Sequence, residues 1–115
     1  MPPEPAHVEE ARRLRAAIVA VLDDTGFVLP GSLTRREVRC GRPNCRCHDD
    51  PPRLHGPYWS WTRKVRAKTV TKLLSDEQVE DYRPWMEASK RLRDLVHQLE
   101  ELSVAVVDDD PRRRT

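Results

Sequence analysis

Apolar positions recur along this chain in two rhythms. From Val8 to Asp24 they fall at Val8, Ala11, Leu14, Ile18, Val21 and Leu22. Those steps of three and four put one stripe on a helix. Gly26 is placed to end that helix in a left-handed cap. Phe27 to Gly31 is a short apolar linker with a turn, and Leu33 to Cys40 is compatible with a short strand. From Tyr58 to Leu74 the rhythm shortens to two, in a segment rich in Tyr, Trp, Thr and Val. It predicts a β-hairpin turning at Arg66-Ala67, with Trp59 opposite Leu74 and Arg63 opposite Val70. One face then holds Trp59, Trp61, Val65, Val70 and Leu74. The other holds Ser60, Thr62, Lys64, Thr69 and Thr71. Arg-Ala is a poor pair for such a turn, whose central positions want positive φ.

Ser75-Asp76-Glu77-Gln78 has the form of a capping box, which opens a helix expected to run to about Val104. Pro84 lies inside it and is expected to kink it or begin a second piece. Beyond Pro84, Trp85, Ala88, Leu92, Leu95, Leu99 and Leu102 keep a three-four spacing. That is either a core face packing on the first helix or a short coiled-coil seam. The predicted class is α+β: an N-terminal helix, an irregular loop and hairpin, and a long C-terminal helix. Residues 8–104 are read as one domain, with helix at 8–24, loop and hairpin at 33–74 and helix at 76–104. Residues 1–7, with three prolines, are expected to be disordered, and 105–115 to form a flexible charged tail.

Composition sharpens the picture. The 115 residues are 37% hydrophobic and 35% charged, where an average domain is roughly 45–50% apolar and about 25% charged. So small a core calls for a metal, an oligomer interface or long exposed helices. No apolar run approaches the roughly 20 residues a membrane helix needs. The start, Met1-Pro2-Pro3-Glu4-Pro5, lacks the basic end and apolar run of a signal peptide. A cytoplasmic, reducing setting is therefore expected. The three cysteines then read as thiols or metal ligands rather than disulfides.

Those cysteines stand where the pattern breaks down. Cys40 to Pro57 contains Gly41, Pro43, Pro51, Pro52, Gly56 and Pro57, so neither helix nor long strand fits it. A loop of this length needs a function or something to hold it. Cys40, Cys45 and Cys47, with a histidine, are the donors that tetrahedral zinc prefers, and binding energy would become folding energy. Arg39, Arg42 and Arg46 flank the sulfurs and favour their thiolate forms. His55 is the favoured fourth ligand, because the chain can turn back at His55-Gly-Pro-Tyr. His48, adjoining Cys47, is the alternative and would need a strained backbone. Four protein ligands leave no open position for a catalytic water, and a Cys47–His55 cysteine enzyme lacks a visible oxyanion site. A non-enzymatic role is expected.

The net charge of +2 conceals a division. Between Ser32 and Lys72 stand eleven Lys and Arg against three acids, Glu37, Asp49 and Asp50, a net +8. The remainder carries −6. A basic centre between acidic flanks points to a polyanion. The candidate contacts are Arg35, Arg36, Arg42, Arg46, Arg63, Lys64, Arg66, Lys68 and Lys72.

The segments Cys40-Gly-Arg-Pro-Asn-Cys45-Arg-Cys47, His55-Gly-Pro-Tyr58-Trp59 and Lys68-Thr69-Val70 resemble a small-protein family known only as a domain of unknown function. It occurs in bacteria, archaea and phages, often near transposases and integrases. The resemblance spans roughly Gly31 to Leu102. It implies Cys40, Cys45, Cys47 and His55 as the matched residues and leaves His48 unmatched. Ala67 stands where the family places a glycine. The resemblance implies no activity, but it agrees with a Zn²⁺ site and a mobile-element setting.

Two functions follow as expectations. One is a zinc-stabilised accessory protein of a mobile element or phage, whose loop and hairpin contact nucleic acid, with DNA favoured. The other is an adaptor whose helices dimerise, or dock on a recombinase or transposase, through Leu92, Leu95, Leu99 and Leu102.

Overall fold

The computed structural model describes residues 3–112. Its elements are an α-helix at Pro5–Thr25 (α1), three strands at Ser32–Val38 (β1), His55–Val65 (β2) and Lys68–Leu74 (β3), and an α-helix at Asp76–Asp108 (α2). The class is α+β, as the pattern predicts.

α1 begins at Pro5, so Pro5 to His7 are helical rather than disordered. Proline suits a first turn, where its missing N–H costs nothing and its φ is already helical. The Val8 N–H donates to the Glu4 carbonyl at 3.1 Å and closes that turn. Residues 1 and 2 lie outside the described residues. At the other end Gly26 adopts φ 74° and donates its N–H to the Leu22 carbonyl.

The strands form one antiparallel sheet in the order β1-β2-β3. β2 and β3 pair as expected, from Trp59↔Leu74 through Arg63↔Val70 to Val65↔Lys68. Arg66 and Ala67 take φ 52° and 68°, the two positive values a tight hairpin turn requires. For residues with a Cβ this costs about 1–2 kcal/mol each, and the cross-strand pairs impose it. β1 pairs with β2 from Ser32↔Thr62 to Arg36↔Tyr58, then through an irregularity to Val38↔His55. That bulge starts β2 at His55, three residues before the alternating pattern begins, and ends β1 at Val38. The irregular loop is thus 39–54, with one short 3-10 turn at Arg46–His48.

α2 opens on the capping box. The Gln78 N–H donates to Ser75 Oγ at 3.1 Å, and the Ser75 N–H donates to Gln78 Oε1 at 2.9 Å. Pro84 neither divides nor ends the helix. Glu80, whose carbonyl loses its partner there, is exposed, as is Pro84, so water can supply the bond. The helix also outruns the expected end at Val104, because the leucine rhythm continues one step to half-buried Val106. Residues 105–108 are therefore helix rather than tail, and 113–115 lie outside the described residues.

Contacts divide the chain into two compact units, where the sequence pattern suggests one domain. One unit combines α1 with α2 from Glu87 onward. There the helices run antiparallel: His7 Nε2 lies 3.9 Å from an Asp109 carboxylate oxygen, and Val8, Ala11 and Arg15 line a groove with Leu102, Ser103 and Val106. Leu14, Ala88 and Leu95 are its buried apolar residues. The other unit, Pro30–Met86, holds the sheet, the cysteine loop and the first turns of α2. Its buried residues are Cys47, Ser60, Leu74, Val79 and Met86. On one face of the sheet, Trp59 Nε1 donates to Asp76 at 2.9 Å and Trp61 Nε1 donates to the Pro30 carbonyl at 2.9 Å.

Candidate metal centre

The 39–54 loop and the first residue of β2 bring four donors together. Cys40, Cys45, Cys47 and His55 each offer one ligand atom, and these atoms lie within 4.8 Å of one another. Cys47 is fully buried and the other three are half-buried. The Sγ atoms of Cys40 and Cys47 are 3.7 Å apart. Zinc–sulfur bonds of about 2.3 Å at a tetrahedral angle separate two sulfurs by about 3.8 Å, so this spacing fits the ion. Cys45 Sγ and His55 Nε2 are 3.0 Å apart, a hydrogen-bond distance. The donor set, three thiols and an imidazole, is that of a structural Cys₃His site.

The backbone prepares the sulfurs for charge. The Cys40 N–H donates to Cys47 Sγ at 3.3 Å, and the Arg42 N–H donates to Cys40 Sγ at 3.4 Å. Cys45 is held at about 6, well below an ordinary thiol. The Cys47 backbone N–H is the main cause, and Cys40, His55 and Cys47 side chains add to it against the effect of burial. The Cys47 thiol is pushed upward instead, first by burial. The loop is knitted by local bonds: Cys45 N–H to the Arg42 carbonyl at 3.2 Å, His48 N–H to the Cys45 carbonyl at 3.0 Å, and Arg53 N–H to the Arg46 carbonyl at 3.2 Å.

His48 stands outside the cluster. Its Nε2 lies 3.0 Å from the Cys40 carbonyl oxygen, where it ties the loop rather than joining the donors. His55 reaches the sulfurs because Gly56 follows it at φ 108°. A Cβ there would stand 2.8 Å from the Tyr58 nitrogen and 3.1 Å from the Arg36 carbonyl oxygen. The glycine thus lets the chain pass close beside β1 as it enters β2.

Strand alternation distributes the predicted cationic contacts over both faces of the sheet. Arg35, Arg63, Lys68 and Lys72 share the tryptophan face, whereas Arg36 and Lys64 share the face of Thr34, Tyr58, Thr62, Thr69 and Thr71. Arg66 is in the turn, and Arg42 and Arg46 lie exposed in the cysteine loop. Arg63 is half-buried, its guanidinium 4.2 Å from the Trp61 ring centroid and its Nη1 enclosed without a hydrogen-bond partner. The sequence pattern misses Arg83, which lies over Trp59 at 5.3 Å with Arg35 at 5.6 Å. An arginine on a helix, so far along the chain from its indole, leaves no local signal. Leu95 is buried and Leu92, Leu99 and Leu102 are half-buried. The predicted seam is therefore largely covered within the chain.

No helix among the described residues is long and apolar enough to cross a membrane. Neither curated proteins nor solved structures yield a match to the chain. A family model does match, over residues 8–84, from the first turns of α1 through the cysteine loop and the sheet to Pro84 in α2. That span includes all four clustered donors and about two thirds of the sequence. The chain belongs to the family described as Domain of unknown function (DUF6788).

Proposed function

We propose that this protein is a zinc-stabilised nucleic-acid-binding module without catalytic activity, serving as an accessory factor on the DNA of a mobile element or phage. One observation carries the reading: among the described residues, all but one of the cations of the sheet and loop lack a carboxylate partner. Between Ser32 and Lys72, among the described residues, Arg53 alone pairs with a carboxylate, that of Asp49 at 3.0 Å. In the helical unit, by contrast, Arg12 pairs with Glu9, Arg13 with Glu10 and Arg112 with Asp110. Unneutralised charge held on a metal-stapled scaffold suits phosphate contact. Zinc supplies folding energy here, and four protein donors would complete its tetrahedral shell. The mobile-element setting draws its support from the resemblance in the cysteine and His-Gly-Pro-Tyr motifs.

The test is a salt titration of binding to a generic DNA duplex, using protein whose zinc content is assayed in the same preparation. One zinc per chain with steeply salt-dependent binding is the expected result. Absence of binding at low salt would overturn the nucleic-acid reading, and a folded protein without zinc would overturn the metal.

A second reading, self-association, has its own observation. Val8, Val19 and Leu22 on α1, and Val96 and Val107 on α2, remain exposed. At about 100° per residue these stripes flank the same side of the helical pair, the side on which Val8, Arg15 and Ser103 line the groove. Two helices bury little by themselves, and a second copy laid on this side would complete a four-helix bundle. Sedimentation at micromolar concentration distinguishes dimer from monomer.

A further inference from the structure

The sheet is not equally wide along its length. β1 stops pairing at Ser32↔Thr62, while β2 and β3 remain paired through Arg63↔Val70, Lys64↔Thr69 and Val65↔Lys68. Past Thr62 a two-stranded ribbon therefore continues alone, about 10 Å long at some 3.4 Å per residue. Its base is braced. The Trp61 N–H is tied to the Pro30 carbonyl, Arg63 lies on the Trp61 ring, and at Gly31 a Cβ would stand 2.5 Å from Trp61 Nε1. The chain turns aside at Gly31 and leaves the tip uncovered. Lys64, Val65, Arg66, Ala67, Lys68 and Thr69 are all exposed. Three cations within five residues have no carboxylate among them, and none has an ion pair among the described residues. At the end stands an apolar side chain, Val65, 43% exposed.

We infer that this tip enters the major groove of duplex DNA, with Lys64, Arg66 and Lys68 on the flanking phosphates and Val65 against base edges. The inference rests on the nucleic-acid reading above and names its substrate class. A two-stranded ribbon matches a B-form major groove about 12 Å wide, where thymine methyl groups offer an apolar contact to valine. The A-form groove of duplex RNA is too narrow and deep for it. Single strands are bound through exposed aromatic faces, and the tip has no aromatic residue. Trp59 and Trp61 lie under guanidinium groups, with both indole N–H groups already bonded.

The test is fluorescence anisotropy on the full chain with three probes of equal length and mixed sequence: duplex DNA, duplex RNA and single-stranded DNA. Duplex DNA is expected to bind at least about tenfold tighter than either alternative and to displace methyl green, a major-groove dye. Lys64→Ala with Lys68→Ala should weaken duplex binding and lower its salt slope by about two, one for each phosphate no longer neutralised. Lys64→Arg with Lys68→Arg should keep both. These positions are exposed, and a matching circular dichroism spectrum would confirm an intact fold. Equal affinity for the three probes, or an unchanged slope in the alanine pair, would overturn the tip inference while leaving nucleic-acid binding in place. No binding to any probe would overturn both.

Discussion

Cys45 and Cys47 are two residues apart, yet their thiols are pushed in opposite directions. Backbone N–H donation holds Cys45 at about 6, and burial raises Cys47. In the metal-free chain the Cys45 thiolate favours the folded state fully above the ordinary thiol value of 9.0. That contribution fades as pH falls and is lost through about 6. Cys47 acts oppositely, since its buried thiol resists ionisation as pH rises. Brief iodoacetamide treatment of metal-free protein at pH 7 should label Cys45 first and Cys47 last, as peptide mapping would show. Equal labelling would mean that the N–H groups do not organise the sulfurs. For the fourth donor, His55→Ala should lower zinc content below one per chain, while His48→Ala should leave it unchanged. Zinc assay of the two purified variants decides between the histidines. The candidate ligands, three cysteines and two histidines, were legible from chemistry alone, because few residue types bind zinc and all of these lie within one short segment. That His55 rather than His48 stands beside the sulfurs was decided by the fold, which sets His48 Nε2 against the Cys40 carbonyl instead.

At the scale of elements, local rules account for most of what forms. The capping box, the glycine stop after α1 and the alternation of β2 and β3 each follow from residues close together in sequence. The hairpin turn is the exception. Arg66 and Ala67 are poor residues for positive φ, and the strand pairs hold them there. Ala67→Gly should therefore stabilise the protein by about 1 kcal/mol, read as a shift in urea midpoint without a change in slope. A destabilised variant would show that Ala67 makes packing interactions that outweigh its strain. In the helical unit, Leu95 is 3% exposed and should be the most sensitive position of its stripe. Leu95→Asp places an unpaired charge in that core and should cost several kcal/mol. Loss of helical circular dichroism on mild warming is the expected sign. Strand ends were less legible than strand identity. The bulge between Arg36 and Val38 depends on how β1 meets a partner some twenty residues away, and nothing local announces it.

At the scale of the molecule, the division into two units makes metal removal informative. Removing the proposed zinc by chelation should expose the 39–60 amides to hydrogen exchange, because all four candidate ligands lie in that stretch, while amides around Leu95 keep their protection. Uniform loss across both would show that the metal supports more than its own unit. The sequence by itself determined the element types, the three clustered cysteines and the concentration of positive charge at the centre. Each is carried by composition or by spacing over a few residues, where covalent geometry already limits the outcome. Tertiary structure alone decided which cations share a face, that Arg63 and Arg83 lie on indoles, and that the leucine stripe is largely covered. It also decided that the ribbon tip stands free of β1. Those outcomes depend on pairings between distant segments, whose register emerges from the sum of many weak interactions rather than from any one stretch of chain.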